Sequence, residues 1–256
     1  MKVLVLGNSH AGCLMHAWKH RVDSERDTIT FFVKSGSLSE FSIVESQISA
    51  TSSEFCSFLE RLSLATTVNL DAYDTIVIVG SELSIFSVVS IINRYRILDW
   101  PMKQDVATPA LTEDVLRIAL AEAVDQSSGG RILRMLYELP TMRSKKLIIV
   151  PQPFPSERAL ISKTGGFGFR RLIRHRAAES AVRVFNEELV AFCSRFGALY
   201  QPQPGNTIVH ECFTANAYTS AARRLANLDQ MQPSEDIIHA NAAYGQLIIN
   251  QILTKH

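Results

Sequence analysis

The sequence has no run long and apolar enough to span a bilayer. Its first apolar run, Val3 to Leu6, stops at Gly7 and is followed by polar Asn8, Ser9 and His10, so it is too short for a secretory h-region. The reading from these absences is a cytoplasmic protein with no membrane span. There is no surplus of basic charge either: 26 Lys and Arg face 25 Asp and Glu, for a formal charge of +1. Nothing therefore suggests a nucleic-acid partner, which normally demands a basic face. Cysteine is scarce. Cys13, Cys56, Cys193 and Cys212 are widely spaced with no C-x-x-C pair, which suggests neither a zinc site nor a disulfide framework. Free thiols in a reducing compartment are the simple reading. The glycine spacing of a dinucleotide site and the lysine of a phosphate-binding loop are both missing. His10, His16 and His20 cluster in sequence, but apart from Cys13 no thiol or carboxylate sits at ligand spacing. No metal and no cofactor are expected.

What is present is enough apolar material for a large core, 46% of the residues with 13 Phe among them. A single domain over 1–256 is expected, with a helical insertion at about 83–144. Val3 to Leu6 read as a strand buried on both faces, ended by Gly7 and Asn8. From His10 the spacing turns helical. Ser9 thus stands between the carboxyl end of a strand and the amino end of a helix, where unpaired N–H groups stabilise an anion. Taken alone, the stretch fits an N-cap at Ser9 at least as well as a nucleophile.

Further strands are expected at 28–33, 75–79 and 146–150, with a short one at 198–200 and an optional one at 66–70. Strands alternating with helical segments predict an α/β fold with a parallel sheet. Gly36 and Gly80 follow two of the strands; each fits a turn, or a close backbone approach to a ligand. Helices are predicted at 86–98, at 111–127 with a stop at Gly129-Gly130, at 131–139, 177–196, 214–229 and 243–253. The segment from Gly165 to Arg176 reads as mobile: three glycines, Phe167 and Phe169, then Arg170 and Arg171. A solvated helix face and a contact with an anionic or sugar ligand both fit it.

In an open parallel sheet the loops after the strands share one crevice. Ser9 lies at such an end, and Asp236 and His239 precede the terminal helix. Together they supply a nucleophile, a general base and a group that holds the base's tautomer. The spacing D-x-x-H is weak by itself, since Asp236 also suits a helix cap.

The two ends of the chain together resemble the SGNH hydrolases, the GDSL-like esterase superfamily: Gly7-Asn8-Ser9-His10 is similar to its first block, and Asp236-x-x-His239 to its last. The resemblance implies a flavodoxin-like three-layer α/β/α sandwich, with Ser9 as nucleophile, His239 as base and Asp236 as its partner. Gly36 matches the block that gives a backbone oxyanion donor. The third block departs from the pattern: Gly80-Ser81-Glu82-Leu83 puts Glu82 where the superfamily has an oxyanion asparagine. Ser81 and Asn241 are the candidates to replace it. His10, Gly80, Glu82, Phe167, Phe169, Arg170 and Arg171 are the candidate substrate contacts. The implied activity is cleavage of an O-acyl ester, acetyl on a carbohydrate included, on a small-molecule or glycan substrate. The alternatives are acyl transfer by the same serine, and a carbohydrate-binding or scaffolding protein that has lost turnover.

Overall fold

Four apolar runs become neighbouring strands of one sheet. The computed structural model describes residues 1–21, 28–102, 108–162 and 166–254. Strands β1 (Lys2–Gly7), β2 (Thr28–Val33), β3 (Thr75–Val79), β4 (Lys146–Val150) and β5 (Leu199–Tyr200) pair in the order 2-1-3-4-5, all parallel. Val5 is flanked by Phe31 on one side and Val77 on the other, and Val77 in turn by Ile148. Val3 to Leu6 are no more than 1% exposed. Such strands have no solvent face, which is why their sequences do not alternate. Each fully buried Val, Leu or Ile contributes about 1.5–3 kcal/mol.

The helices are α1 (Gly12–Lys19), α2 (Ser53–Arg61), α3 (Phe86–Ile92), α4 (Glu113–Gln126), α5 (Ser128–Tyr137), α6 (Phe167–Arg174), α7 (Ala178–Arg195) and α8 (Ala242–Thr254). The helix α1 packs on α8, while α3 to α7 pack on one another, with α5 against β3. Helices on the sheet's faces make a three-layer α/β/α sandwich. Phe55 of α2 meets Phe32 of β2 edge-on at 5.1 Å. Local chemistry starts several helices: the hydroxyls of Ser52, Thr112 and Ser127 accept from the N–H of Phe55, Val115 and Gly130. No helix among the described residues is long and apolar enough to cross a membrane.

Several local expectations are corrected. Gly129 and Gly130 do not stop a helix; they lie in the first turn of α5, capped by Ser127. A methyl at position 129 would meet the Leu83 side chain at 2.7 Å, so glycine there serves close packing. The helix from Phe86 ends at Ile92, and Arg96–Ile97 instead pairs with Ala110–Leu111. Residues 214–229 are not a helix: Phe213–Thr214 pairs with Ile208–Val209, and Arg223–Arg224 with Asn227–Met231. Phe41–Val44, Gln47–Ala50 and Thr67–Asn69 form a small antiparallel sheet, so the optional strand exists, beside a hairpin the sequence left ambiguous.

One carboxylate ties α4 to α7. Glu113 accepts from Arg183 at 2.6 Å, from Trp100 Nε1 at 2.8 Å and from Arg117 at 2.8 Å. Arg183 first, then Trp100 and Arg117, hold its carboxyl down to about 2 against an opposing burial effect. A carboxyl lowered on folding stabilises fully above its ordinary value of 4.5, and that contribution is lost as pH falls toward about 2. Urea midpoints measured at about pH 5 and about pH 3 check this: the acid loss is expected to shrink in E113Q.

Candidate active site

The site begins where β1 stops. Asn8 Oδ1 accepts from the His10 N–H at 3.2 Å and starts a 3-10 turn over Ser9–Ala11 that runs into α1. Asn8, not Ser9, is therefore the cap, and the Ser9 hydroxyl is left for other work. Ser9 sits beyond the carboxyl end of β1, next to Gly80 at the end of β3. The strand order reverses between these two strands, where open α/β sheets hold their ligands. Gly80 has φ +66°, and a side chain there would strike Asn8 and His10.

His239 arrives from the far end of the chain. Its Nε2 lies 3.0 Å from Ser9 Oγ, and its Nδ1 lies 2.9 Å from Asp236 Oδ1. The His239 N–H also donates to Asp236 Oδ2 at 3.2 Å. The side chains of Asp236 and His239 are each 13% exposed. Burial alone would raise the Asp236 carboxyl, but hydrogen bonds from the His239 ring and from the His239 and Ile238 N–H groups outweigh it, and the net shift is downward. Asp236 is thus held as a carboxylate facing the ring.

Three features bring His239 to Ser9. Gly245 lets α8 lie directly on the backbone of α1, since a Cβ there would collide with the Cys13 carbonyl. Asn241 caps α8 by accepting from the Ala243 and Tyr244 N–H groups, and its amide donates to the Ala217 and Ser220 carbonyls. Arg158 clamps the turn before the histidine, donating to the carbonyls of Ser234 at 2.9 Å and Asp236 at 2.8 Å, while the Ser156 N–H donates to Ile237 O at 2.7 Å. Two predictions follow from this scaffold. G245V is expected to destabilise the fold by about 1–3 kcal/mol, read as a lowered urea midpoint. R158A is expected to leave the fold standing but to cut turnover, with an added guanidinium salt at low concentration restoring part of it. Steady-state kinetics on the purified variant checks the second.

His10 is buried, with its ring stacked on that of His239 at 5.0 Å between centroids and 22° between planes. It hydrogen-bonds the Gln152 side chain, while its Nδ1 has no partner among the described residues. Burial first, then the neighbouring His239, pushes its pKa down to about 3, against Asp236 and Gln152. His10 therefore stands behind the base and is not a surface contact for a substrate.

The other candidates divide. Ser81 is fully buried and donates to Val79 O at 3.1 Å, so its hydroxyl is turned to its own strand. Asn241 is consumed by its cap and its two carbonyls. Neither is placed as a free oxyanion donor. Gly36 is exposed after β2 with φ +81° and open space around it. Glu82 accepts from the Ser128 N–H at 2.9 Å and borders a cavity of about 370 Å³. Phe86, Ser87, Ser90, Gln152 and Ile238 also line that cavity; Ile238 precedes His239 in the chain, and Gln152 bonds His10.

The aromatic and basic segment takes another place. Gly165 lies outside the described residues. Phe167 to Arg174 is the helix α6, not a mobile loop. Phe167 is 64% exposed at its first residue, but Phe169 is 1% exposed, packed between Phe86 at 5.0 Å and Phe213 at 5.7 Å. Arg170 donates to the Ala159 and Ser162 carbonyls, and Arg171 to those of Ile92 and Asn93. These arginines close helix and turn ends, which accounts for them without a ligand. Sequence reading missed Gln152 and Arg158, whose partners lie far away along the chain; no local spacing marks either.

No protein-family model matches the chain, and no curated protein matches it in sequence. Among solved structures it is similar to an extracellular lipase from Streptomyces rimosus, at 12% identity and a TM-score of 0.46 over 98% of this chain and 99% of that one. It is also similar to a gut microbial diltiazem-metabolizing enzyme, at 9% identity and a TM-score of 0.44, covering 98% of this chain and 46% of that one. The chain thus spans about half the length of the second protein.

Proposed function

We propose that the protein is a serine hydrolase that cleaves an O-acyl ester, with Ser9 as nucleophile, His239 as general base and Asp236 holding the imidazole. One observation carries this: the continuous hydrogen-bonded line from Ser9 Oγ through both His239 nitrogens to Asp236. In the reaction His239 Nε2 takes the Ser9 proton as Oγ attacks the acyl carbon. The proton passes to the departing alcohol, and water then repeats the sequence on the acyl-enzyme. The Ser9 N–H, at the first residue of its turn, and the Gly36 N–H are the proposed oxyanion donors.

The substrate proposed is an ester of a small acyl group, acetyl included, on a neutral polyol such as a sugar. That cavity supports this: Ser87, Ser90, Gln152 and the Phe86 ring line it, with Glu82 among them and no Lys or Arg among its described lining residues. Such a wall suits a ring with hydroxyl edges and an apolar face, and Glu82 disfavours an anion. F86A is accordingly expected to raise KM for acetylated sugars about tenfold, with little change for a simple aryl acetate. Acetate release from a panel of acetylated sugars, aryl acetates and acetylated anionic sugars tests the reading. Turnover of neutral sugar esters that S9A lacks supports it. No release from any ester, or equal release by S9A, overturns it.

A further inference from the structure

We propose that His10 is a positioning residue that fixes the plane of the His239 ring by stacking on it. The inference rests on the hydrolase reading for its consequence in turnover, but its geometry stands apart from it. Ser9 and Asp236 hold the two edges of the His239 ring. Hydrogen bonds in the ring plane do not stop the ring from rocking about the line that joins them. A flat surface against one face does. His10 supplies it at 5.0 Å and 22°.

The surface is itself braced. The His10 N–H is fixed by Asn8 Oδ1, its carbonyl accepts from Cys13 Sγ at 3.2 Å, and its ring bonds Gln152 beyond β4. Gly80 lies close by: even a methyl group there would lie 3.1 Å from Cδ2. Its buried Nδ1 has no partner among the described residues, a defect that native structures seldom keep without a reason. The reason here is the stacking position: a flat ring is needed at this point, and only one of its edges has a bonding partner.

Neutrality matters as much as shape. Asp236 and His239 are the titratable groups that act on the His10 ring. When His239 takes the Ser9 proton it becomes an imidazolium, and a second cation stacked on it would oppose that step. Burial removes the cation. His10 therefore restrains the base without competing for its proton, since burial outweighs the pull of the Asp236 charge on its ring.

The test compares wild type with H10A and H10F by steady-state kinetics and by proton NMR of the imidazole Nδ1–H. Wild type is expected to show a strongly downfield Nδ1–H signal from the Asp236–His239 pair, identified by its loss in D236N. H10A is expected to broaden or lose it and to cut kcat at least ~tenfold with KM nearly unchanged. H10F, which keeps a flat ring, is expected to recover both. A normal signal and normal kcat in H10A overturn the proposal, as does a folded H10F as impaired as H10A. Wild type alone gives a further readout should H10F not fold. The His10 ring is expected to stay neutral until the pH nears about 3, and a His10 ring protonated near neutral pH overturns the proposal. If S9A hydrolyses esters as well as wild type, the hydrolase reading falls, and the downfield signal still decides the role of His10.

Discussion

S9A and H239A are each expected to remove nearly all ester hydrolysis, by about 10⁵–10⁶-fold in kcat. The two residues share one proton, so either loss disables the same step. The Ser9 hydroxyl has the His239 ring as its partner at 3.0 Å, and the described structure offers it no second base. Without His239 the hydroxyl keeps its proton; without Ser9 the imidazole has nothing to activate but water. The double variant is therefore expected to lose no more than about tenfold beyond either single one. Independent roles would instead multiply the two losses. Neither change should cost much stability, since both side chains lie at the crevice and not in the sheet core. Initial rates and urea midpoints on the four proteins check both statements.

D236N is expected to cut kcat by about 10⁴-fold. The amide can fill the same space, but it can offer its N–H toward the imidazole, and then Nδ1 must accept. That forces the proton onto Nε2, the nitrogen that has to receive one from Ser9. The hydrogen bond from the His239 backbone N–H to the Asp236 carboxylate survives through the remaining amide oxygen, so the turn is expected to persist. D236A, which leaves the tautomer free, is expected to be milder. The comparison separates a group that sets a tautomer from one that merely fills space, and kcat for the two variants, with KM as the control, reads it out.

The sheet was legible because its strands are unbroken apolar runs. Val3 to Leu6, Ile76 to Val79 and Leu147 to Val150 are buried on both faces, and their sequences say so without help from neighbours. The helix caps at Ser52 and Thr112 are local in the same sense: each hydroxyl and the N–H that donates to it sit within one turn. The two ends of the site were legible as chemistry, though only the fold could bring positions 9 and 239 together. Residues 214–229 were not legible. Their alanines and leucines favour a helix locally, but the segment is held by remote partners: Asn241 on the Ala217 and Ser220 carbonyls, and Ser156 on the Thr219 hydroxyl at 2.8 Å. Tertiary hydrogen bonds override a weak propensity. The glycines misled as well. Gly129 read as a helix stop and Gly168 as flexibility, yet both sit in helices where a Cβ would strike a neighbour, Leu83 for the first and Val89 for the second. Close approach, chain breaking and flexibility leave the same mark in a sequence. The basic run misled because Arg170 and Arg171 satisfy carbonyls of their own protein, which charge counting cannot distinguish from a ligand contact.

The central claim is that Ser9 is activated by His239. Reaction with a fluorophosphonate, followed by mass spectrometry of the labelled peptide, tests it without knowledge of the natural substrate. The account predicts a single adduct on Ser9 in wild type, none in S9A, and labelling slowed by orders of magnitude in H239A. An adduct formed elsewhere, or formed as fast on Ser9 when His239 is gone, would contradict it.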